Sequence, residues 1–240
     1  MELFFILLFL IAFLYSSVGH GGASSYLALM AFYEISPEVM KPTALLLNLF
    51  VSLTSFIQYY RGKHFLLKLF IPLAIASIPM AFIGGTIAID PNIYKKILGL
   101  LLLFPVMRFF FFKNAEPGEM KAPNLYLSLL IGGFIGLFSG MIGIGGGIIL
   151  SPVLLLLKWT NQKQTAAISA LFIFVNSCAG LAGQFSKGIH FSSDMVTFAG
   201  IAFLGGIFGA YFGALKFNQN ILKQVLGSVL LFAAAKLIFL

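Results

Sequence analysis

Ser139-Gly140-Met141-Ile142-Gly143-Ile144-Gly145-Gly146-Gly147 interrupts an apolar run that extends over residues 125–157. A membrane-crossing helix needs about 20 apolar residues, set by a hydrocarbon core about 30 Å thick and a rise of about 1.5 Å per residue. The run is too long for one plain crossing, and its glycines mark where the helix breaks. A second long run, over 3–33, is broken in the same manner by Ser16-Ser17-Val18-Gly19-His20-Gly21-Gly22-Ala23-Ser24-Ser25. Unbroken apolar blocks cover 43–60, 65–89, 93–112, 165–185, 191–215 and 221–240, each of spanning length. The pattern predicts an all-α polytopic membrane protein.

Composition excludes the soluble alternatives. Of 240 residues, 60% are hydrophobic, 9% are charged and 28 are Phe. A soluble domain is about 45–50% apolar and about 25% charged. The single cysteine, Cys178, excludes an internal disulfide framework and any Cys-based metal cluster, and its apolar setting predicts a buried, inert thiol. The net charge of +8 does not point to nucleic acid, because Lys and Arg cluster at the ends of apolar segments, where they act as topology signals and headgroup contacts. Met1-Glu2 supplies no basic n-region and no small-x-small cleavage site follows 3–14, so the first block is read as structure rather than as a signal peptide.

The two breaks belong to an internal duplication. Gly19-x-Gly21-Gly22 lies over Gly143-x-Gly145-Gly146, Lys41-x-Thr43-Ala44 over Lys163-x-Thr165-Ala166, and Gly62-x-His64-Phe65 over Gly188-x-His190-Phe191. Asn92-Ile93, Lys95 and Leu98-Gly99 lie over Asn220-Ile221, Lys223 and Leu226-Gly227. Residues 1–112 and 125–240 are expected to be two transporter repeats, each a glycine-broken helix pair plus three spans, joined by a polar linker over 113–124.

Charge orients the repeats. If each broken block crossed once, Lys and Arg would divide eight to seven between the two sides. If each block turns back at its glycines, as a re-entrant or short hairpin, one side holds Arg61, Lys63, Lys68, Arg108, Lys113, Lys121, Lys158, Lys163, Lys216 and Lys223. The other side then holds only Lys41, Lys95, Lys96, Lys187 and Lys236. Ten against five obeys the positive-inside rule, placing the first set in the cytoplasm. Each half then crosses an odd number of times, so the repeats are inverted and both termini face outside.

Inverted repeats with broken segments are the common architecture of secondary transporters, and irregular backbone at membrane depth must be buried or line a cavity. The breaks are therefore the candidate binding elements. Gly19, Gly21, Gly22, Gly143, Gly145, Gly146 and Gly147 let backbone approach a ligand, and helices restarting near Ala23 and Ile148 would present unpaired N–H groups to an anion. Ser24 and Ser25 add hydroxyl donors, and His20 adds an N–H or a full charge. Tight helix packing is the other reading of the same glycines. His20 either couples a proton to the anion or, neutral, ties the hairpin; its counterpart is Ile144. His64 and His190 read as turn residues, and Trp159 as an interfacial anchor.

Polar residues within the spans complete the candidate set. Thr43 and Thr165 begin the spans after each break, where capping or ligand contact are the two roles open to them. Asn48, Gln58, Ser169, Asn176, Ser177 and Gln184 must face protein or a cavity. Of these, Asn48 and Asn176 are the better candidates for a substrate path, with Ser169 beside them. No Asp or Glu lies well inside a span, which argues against a carboxylate proton relay and an intramembrane aspartyl protease. No HExxH, Walker A or CxxC occurs, so no enzymatic chemistry, cofactor or metal site is expected.

With the duplicated glycine motif, the Pro42-Thr43-Ala44 and Thr165-Ala166-Ala167 span starts and Asn48, the chain resembles the TauE/SafE sulfite exporter family, also called toluene sulfonate uptake permeases. Ala23 stands where that pattern has a third glycine, and His20 intervenes in the first motif. The resemblance implies a multi-pass transporter of the bacterial inner membrane, carrying sulfite, a sulfonate or a related sulfur anion, with a proton or sodium ion as the conceivable coupling species. A passive anion facilitator and a non-transporting membrane subunit are the competing readings.

Overall fold

The computed structural model describes residues 2–17, 23–111, 120–188, 193–216 and 219–239. They form ten helices and no strand: α1 (Glu2–Ser17), α2 (Ala23–Phe32), α3 (Pro37–Arg61), α4 (Leu67–Thr86), α5 (Pro91–Phe111), α6 (Leu125–Ile142), α7 (Gly147–Leu156), α8 (Gln162–Phe185), α9 (Ser193–Lys216) and α10 (Gln219–Phe239). Among the described residues α3, α4, α6 and α8 are long and apolar enough to cross a membrane. Large apolar side chains cover the outside of the bundle, including Ile75 at 64%, Leu130 at 71% and Phe134 at 63% exposure. Such a surface is stable against lipid and not against water.

Local sequence sets the helix ends. The Asn124 side chain accepts from the Leu127 N–H at 3.1 Å and starts α6. Gly143, at φ +87°, ends α6 by donating its N–H to Ser139 O at 2.8 Å. Asn161 and Gln164 form a reciprocal capping box at the start of α8. Pro42, Pro72, Pro79, Pro105 and Pro152 all lie inside helices, a placement that membrane helices tolerate better than soluble ones.

Both broken blocks double back. The Lys121 N–H donates to Lys158 O at 2.9 Å, so the chain entering α6 and the chain leaving α7 lie at the same end of the bundle. At the break itself, Ile135 Cγ2 and Ser139 Cβ of α6 occupy the space beside Gly146, because the chain returns along the helix it has just left. In the first block the rings of Phe4 and Tyr33 stand 5.1 Å apart, which brings the start of α1 to the end of α2. The ten residues of α7 rise about 15 Å, half the thickness of a hydrocarbon core.

Small residues decide which helices touch. Gly132, Gly136 and Gly140 of α6 lie directly against the backbone of Leu73, Ser77 and Ala81 of α4. Both series step by four and advance together, so α4 and α6 run in the same direction at backbone contact. A Cβ at any of the three glycines would collide with a carbonyl oxygen. Further packing pairs α1 with α2 and α9, α5 with α10, α3 with α8 and α9, α4 with α8, α6 with α8, α2 with α3 and α10, and α7 with α5 and α8.

Two expectations fail here. Trp159 is buried, 6% exposed, within the α7–α8 turn, with its main-chain N–H bonded to Leu154 O, so it is a packing residue and no interfacial anchor. Cys178 is exposed: it follows the inward-facing Ser177 by about 100° around α8 and so turns away from the packed face. His64 does lie in the α3–α4 turn as expected, while His190 falls outside the described residues.

Candidate functional site

The second break reaches the centre of the bundle. Gly145 lies against Asn48, the twelfth residue of the 25 in α3, and against Ile173, the twelfth of the 24 in α8. A Cβ at Gly145 would stand 2.7 Å from Asn48 Nδ2, 2.8 Å from Ile173 Cγ2 and 3.3 Å from Ser177 Oγ. The main chain there has φ +73°, with Gly146 at +79°, a region that side chains other than glycine's rarely enter. Glycine therefore serves two needs at one point: the left-handed turn, and the close approach of main chain to two polar side chains.

Those side chains are unpartnered. Asn48 Nδ2, Ser139 Oγ, Asn176 Oδ1 and Ser177 Oγ are buried and make no hydrogen bond. Leaving a buried polar group unpaired costs about 1–3 kcal/mol, so native cores rarely tolerate one. Asn48 Nδ2 and Ser177 Oγ both border Gly145, and Ser139 borders Gly146. Gly146 caps α7 and has no side chain with which to bond its first amides, so the positive end of that helix faces the same space. Asn48 Nδ2 and the Ser139 and Ser177 hydroxyls are donors without acceptors, which is what a small anion requires, whereas Asn176 Oδ1 can only accept and would face water or a protonated group.

Charge lies near by. Lys41 is the one charged side chain that is buried among the described residues, at 8% exposure. Its main chain packs on Gly143, and its Nζ stands 5.0 Å from the centroid of the Tyr94 ring. Tyr94 in turn donates its hydroxyl to Ile142 O at 2.8 Å, satisfying a carbonyl that the end of α6 would leave bare. Lys41 and Tyr94 thus hold the outer edge of the break in place.

The candidate residues divide. Asn48, Gly145, Gly146 and Gly147 lie in the cluster, with Gly143 at its edge. Asn176 is buried with its Oδ1 unpartnered and its Nδ2 donating to Phe172 O at 2.8 Å within α8, and it does not border the glycine turn. Ser169 bonds Ser151 at 2.9 Å and so ties α7 to α8. Thr43 returns its hydroxyl to Val39 O at 2.6 Å, and Thr165 pairs with Thr160 at 2.7 Å and Asn161 O at 2.8 Å at the far end of α8. Neither threonine caps a helix: α3 begins at Pro37 behind Ser36 and α8 is capped by Asn161, and both hydroxyls donate back to the carbonyl one turn earlier. Ser24 and Ser25 are buried in α2 and already engaged. Gly19, His20, Gly21 and Gly22 lie outside the described residues. Ser139, Lys41 and Tyr94 are the additions that the three-dimensional arrangement makes, and it moves Ser177 from a polar residue of the span to a place beside Gly145.

The family described as "Sulfite exporter TauE/SafE" matches residues 4–237. The chain is similar to "Probable membrane transporter protein y4hK" of Sinorhizobium fredii, with 33% identity over 235 residues, 96% of this chain and 95% of that one. It is also similar to the Bacillus subtilis proteins named "Probable membrane transporter protein YunE" (23% identity, 87% of this chain and 83% of that one) and "Probable membrane transporter protein YjnA" (27% identity, 92% of each). No solved structure matches the chain.

Proposed function

The chain belongs to the sulfite exporter TauE/SafE family of membrane transporters, and from that premise we propose that it carries a small sulfur-containing anion, sulfite or an organosulfonate, through a site at Gly145. One observation carries the reading: unpartnered Asn48 Nδ2 and Ser177 Oγ converge on a glycine turn midway along two spanning helices. An oxyanion between them accepts from both and faces the uncapped amides of α7. The coordinating groups are neutral, so the site prefers charge of one sign without a full counter-charge at its centre.

The architecture of the carrier is two inverted repeats, 1–112 and 125–240, joined by 113–124. Exchanging α1–α5 for α6–α10 leaves the packing pattern nearly unchanged, which supports this reading. The pair α4/α6 becomes α9/α1, α4/α8 becomes α9/α3, and α2/α10 becomes α7/α5, all of them observed contacts. α3/α8 and α5/α10 map onto themselves. Doubling back of both blocks supports it as well, since that parity gives the lopsided Lys and Arg count. On this reading 61–68 and 156–163 lie in the cytoplasm of a bacterial cell and both termini lie outside. Gly19, His20, Gly21, Gly22, Ser24 and Ser25 then form the symmetry-related half of the site. Rocking of the repeats about α3 and α8 exposes the anion alternately.

No carboxylate lies well inside a span, where it could bind a coupling proton or sodium ion, which favours one second reading: a facilitator driven by the anion's own gradient. Purified protein in liposomes distinguishes the two. Sulfite accumulation against its gradient under an imposed proton or sodium gradient establishes coupling; equilibration alone establishes the facilitator; the absence of flux for sulfite and for organosulfonates refutes the proposed substrate class.

A further inference from the structure

Gln184 is buried, 1% exposed, with neither Nε2 nor Oε1 bonded to anything. A side-chain amide with both ends unpaired is the costliest polar arrangement in the described bundle, and the site at Gly145 does not use it. Gln184 lies two turns from Ser177 on the same side of α8, with Gly180 between them. At Gly180 four helices close together: Leu45 Cδ1 stands 3.2 Å and Gly140 Cα 3.3 Å from the position of a Cβ, with Ala81 O at 3.8 Å and Gly85 in backbone contact. Moving along α8 from the centre, the order is therefore polar Ser177, a constriction at Gly180, and polar Gln184. α3 follows in the opposite sense, with Asn48 at the centre, Leu45 at the constriction and buried Lys41 toward the same end as Gln184.

We infer that Gln184 is a second anion station, separated from the Gly145 site by a gate formed where Leu45 and Gly180 meet. The inference rests on the reading of Gly145 as the central stop of a small anion. Opening of the α3–α8 seam gives Gln184 its missing partners: Nε2 donates to an oxyanion oxygen, and Oε1 accepts from a water of its shell or from the hydroxyl of a monoprotonated anion. Closure strips that shell and leaves the amide bare. Gln184 thus receives the hydrated anion, and the passage to Asn48 and Ser177 exchanges water for protein donors.

Cysteine accessibility in nanodiscs tests this on the full chain in a Cys178→Ser background. The probe is 2-sulfonatoethyl methanethiosulfonate, a small water-soluble sulfonate. Gln184→Cys is expected to react at least ten times faster than Ala167→Cys, a fully buried control on the same helix. Leu45→Cys, at the gate, reads the same route if Gln184→Cys does not insert. Reaction of both no faster than the control overturns the inference. Methanesulfonate is expected to slow labelling of Gln184→Cys. Fast labelling without that protection leaves the hydrated station standing and refutes a sulfonate as its occupant. Gln184→Leu gives a readout that a merely structural role would not: half-saturation for flux rises at least fivefold while thermal stability holds or increases. A fall in stability with unchanged half-saturation contradicts the inference.

Discussion

Replacing Gly145 with alanine separates the two demands made on that residue. Its φ of +73° costs an L-residue about 1–2 kcal/mol. The new methyl would also stand 2.7 Å from Asn48 Nδ2 and 2.8 Å from Ile173 Cγ2, and overpacking of this kind costs about 1–3 kcal/mol. Gly188 supplies the control, because it has φ +83° and nothing within 4 Å of a Cβ. Gly188→Ala therefore incurs only the backbone penalty and keeps the site. Gly145→Ala incurs both and displaces the Asn48 amide. If one charge-assisted hydrogen bond is lost, binding weakens by about 1.5–3 kcal/mol, roughly 10- to 150-fold in half-saturation. The assay is sulfite flux into liposomes across a concentration series, with thermal unfolding in detergent measured alongside. Gly188→Ala is expected to lose stability with half-saturation unchanged, and Gly145→Ala to lose both. Unchanged half-saturation in Gly145→Ala would refute the placement of the anion there and leave the glycines as packing devices.

Other consequences concern single groups. Asn48→Leu removes a donor that has no partner in the protein, so flux half-saturation rises about tenfold or more while thermal stability holds. Tyr94→Phe strips the hydroxyl from Ile142 O and leaves a buried carbonyl bare, a loss of about 1–3 kcal/mol readable as a lower unfolding temperature. Gly136→Val drives a side chain into Ser77 O at the α4–α6 seam, and size-exclusion chromatography should show loss of the folded protein. Lys236→Met removes the 3.1 Å bond to Phe32 O at the end of α2; this partly exposed contact is worth about 1 kcal/mol or less, and circular dichroism melting should show a correspondingly small shift.

Much of this is readable in the chain because the membrane simplifies it. Breaks at Gly143–Gly147 stand out since few other interruptions are tolerated at depth, and the scarcity of Lys and Arg makes their sidedness informative. Asn48 stands out for the same reason. Which face each polar residue presents is another matter. Asn176 and Ser177 are adjacent in sequence, yet the first turns one amide atom back on Phe172 O while the second meets Gly145. In helices apolar on every side, periodicity cannot separate a lipid face from a packed one, and Cys178 is misread on that account; Trp159 is misread because the fold buries the α7–α8 turn in which it lies. Lys41 and Tyr94 escape notice because their roles depend on the break 48 residues beyond Tyr94. Thr43 and Thr165 fit neither of their two readings as stated: the helix starts are set by Ser36 and Asn161, and each threonine hydroxyl instead donates to a carbonyl one turn earlier in the chain.

The most direct measurement is the position of a bound oxyanion. Selenite, a heavier analogue of sulfite, can be located by its anomalous scattering in crystals of the full chain. The selenium peak is expected against Gly145, with anion oxygens within hydrogen-bond distance of Asn48 Nδ2 and Ser177 Oγ. A peak elsewhere in the bundle, with those two groups still unpaired, would contradict the central claim.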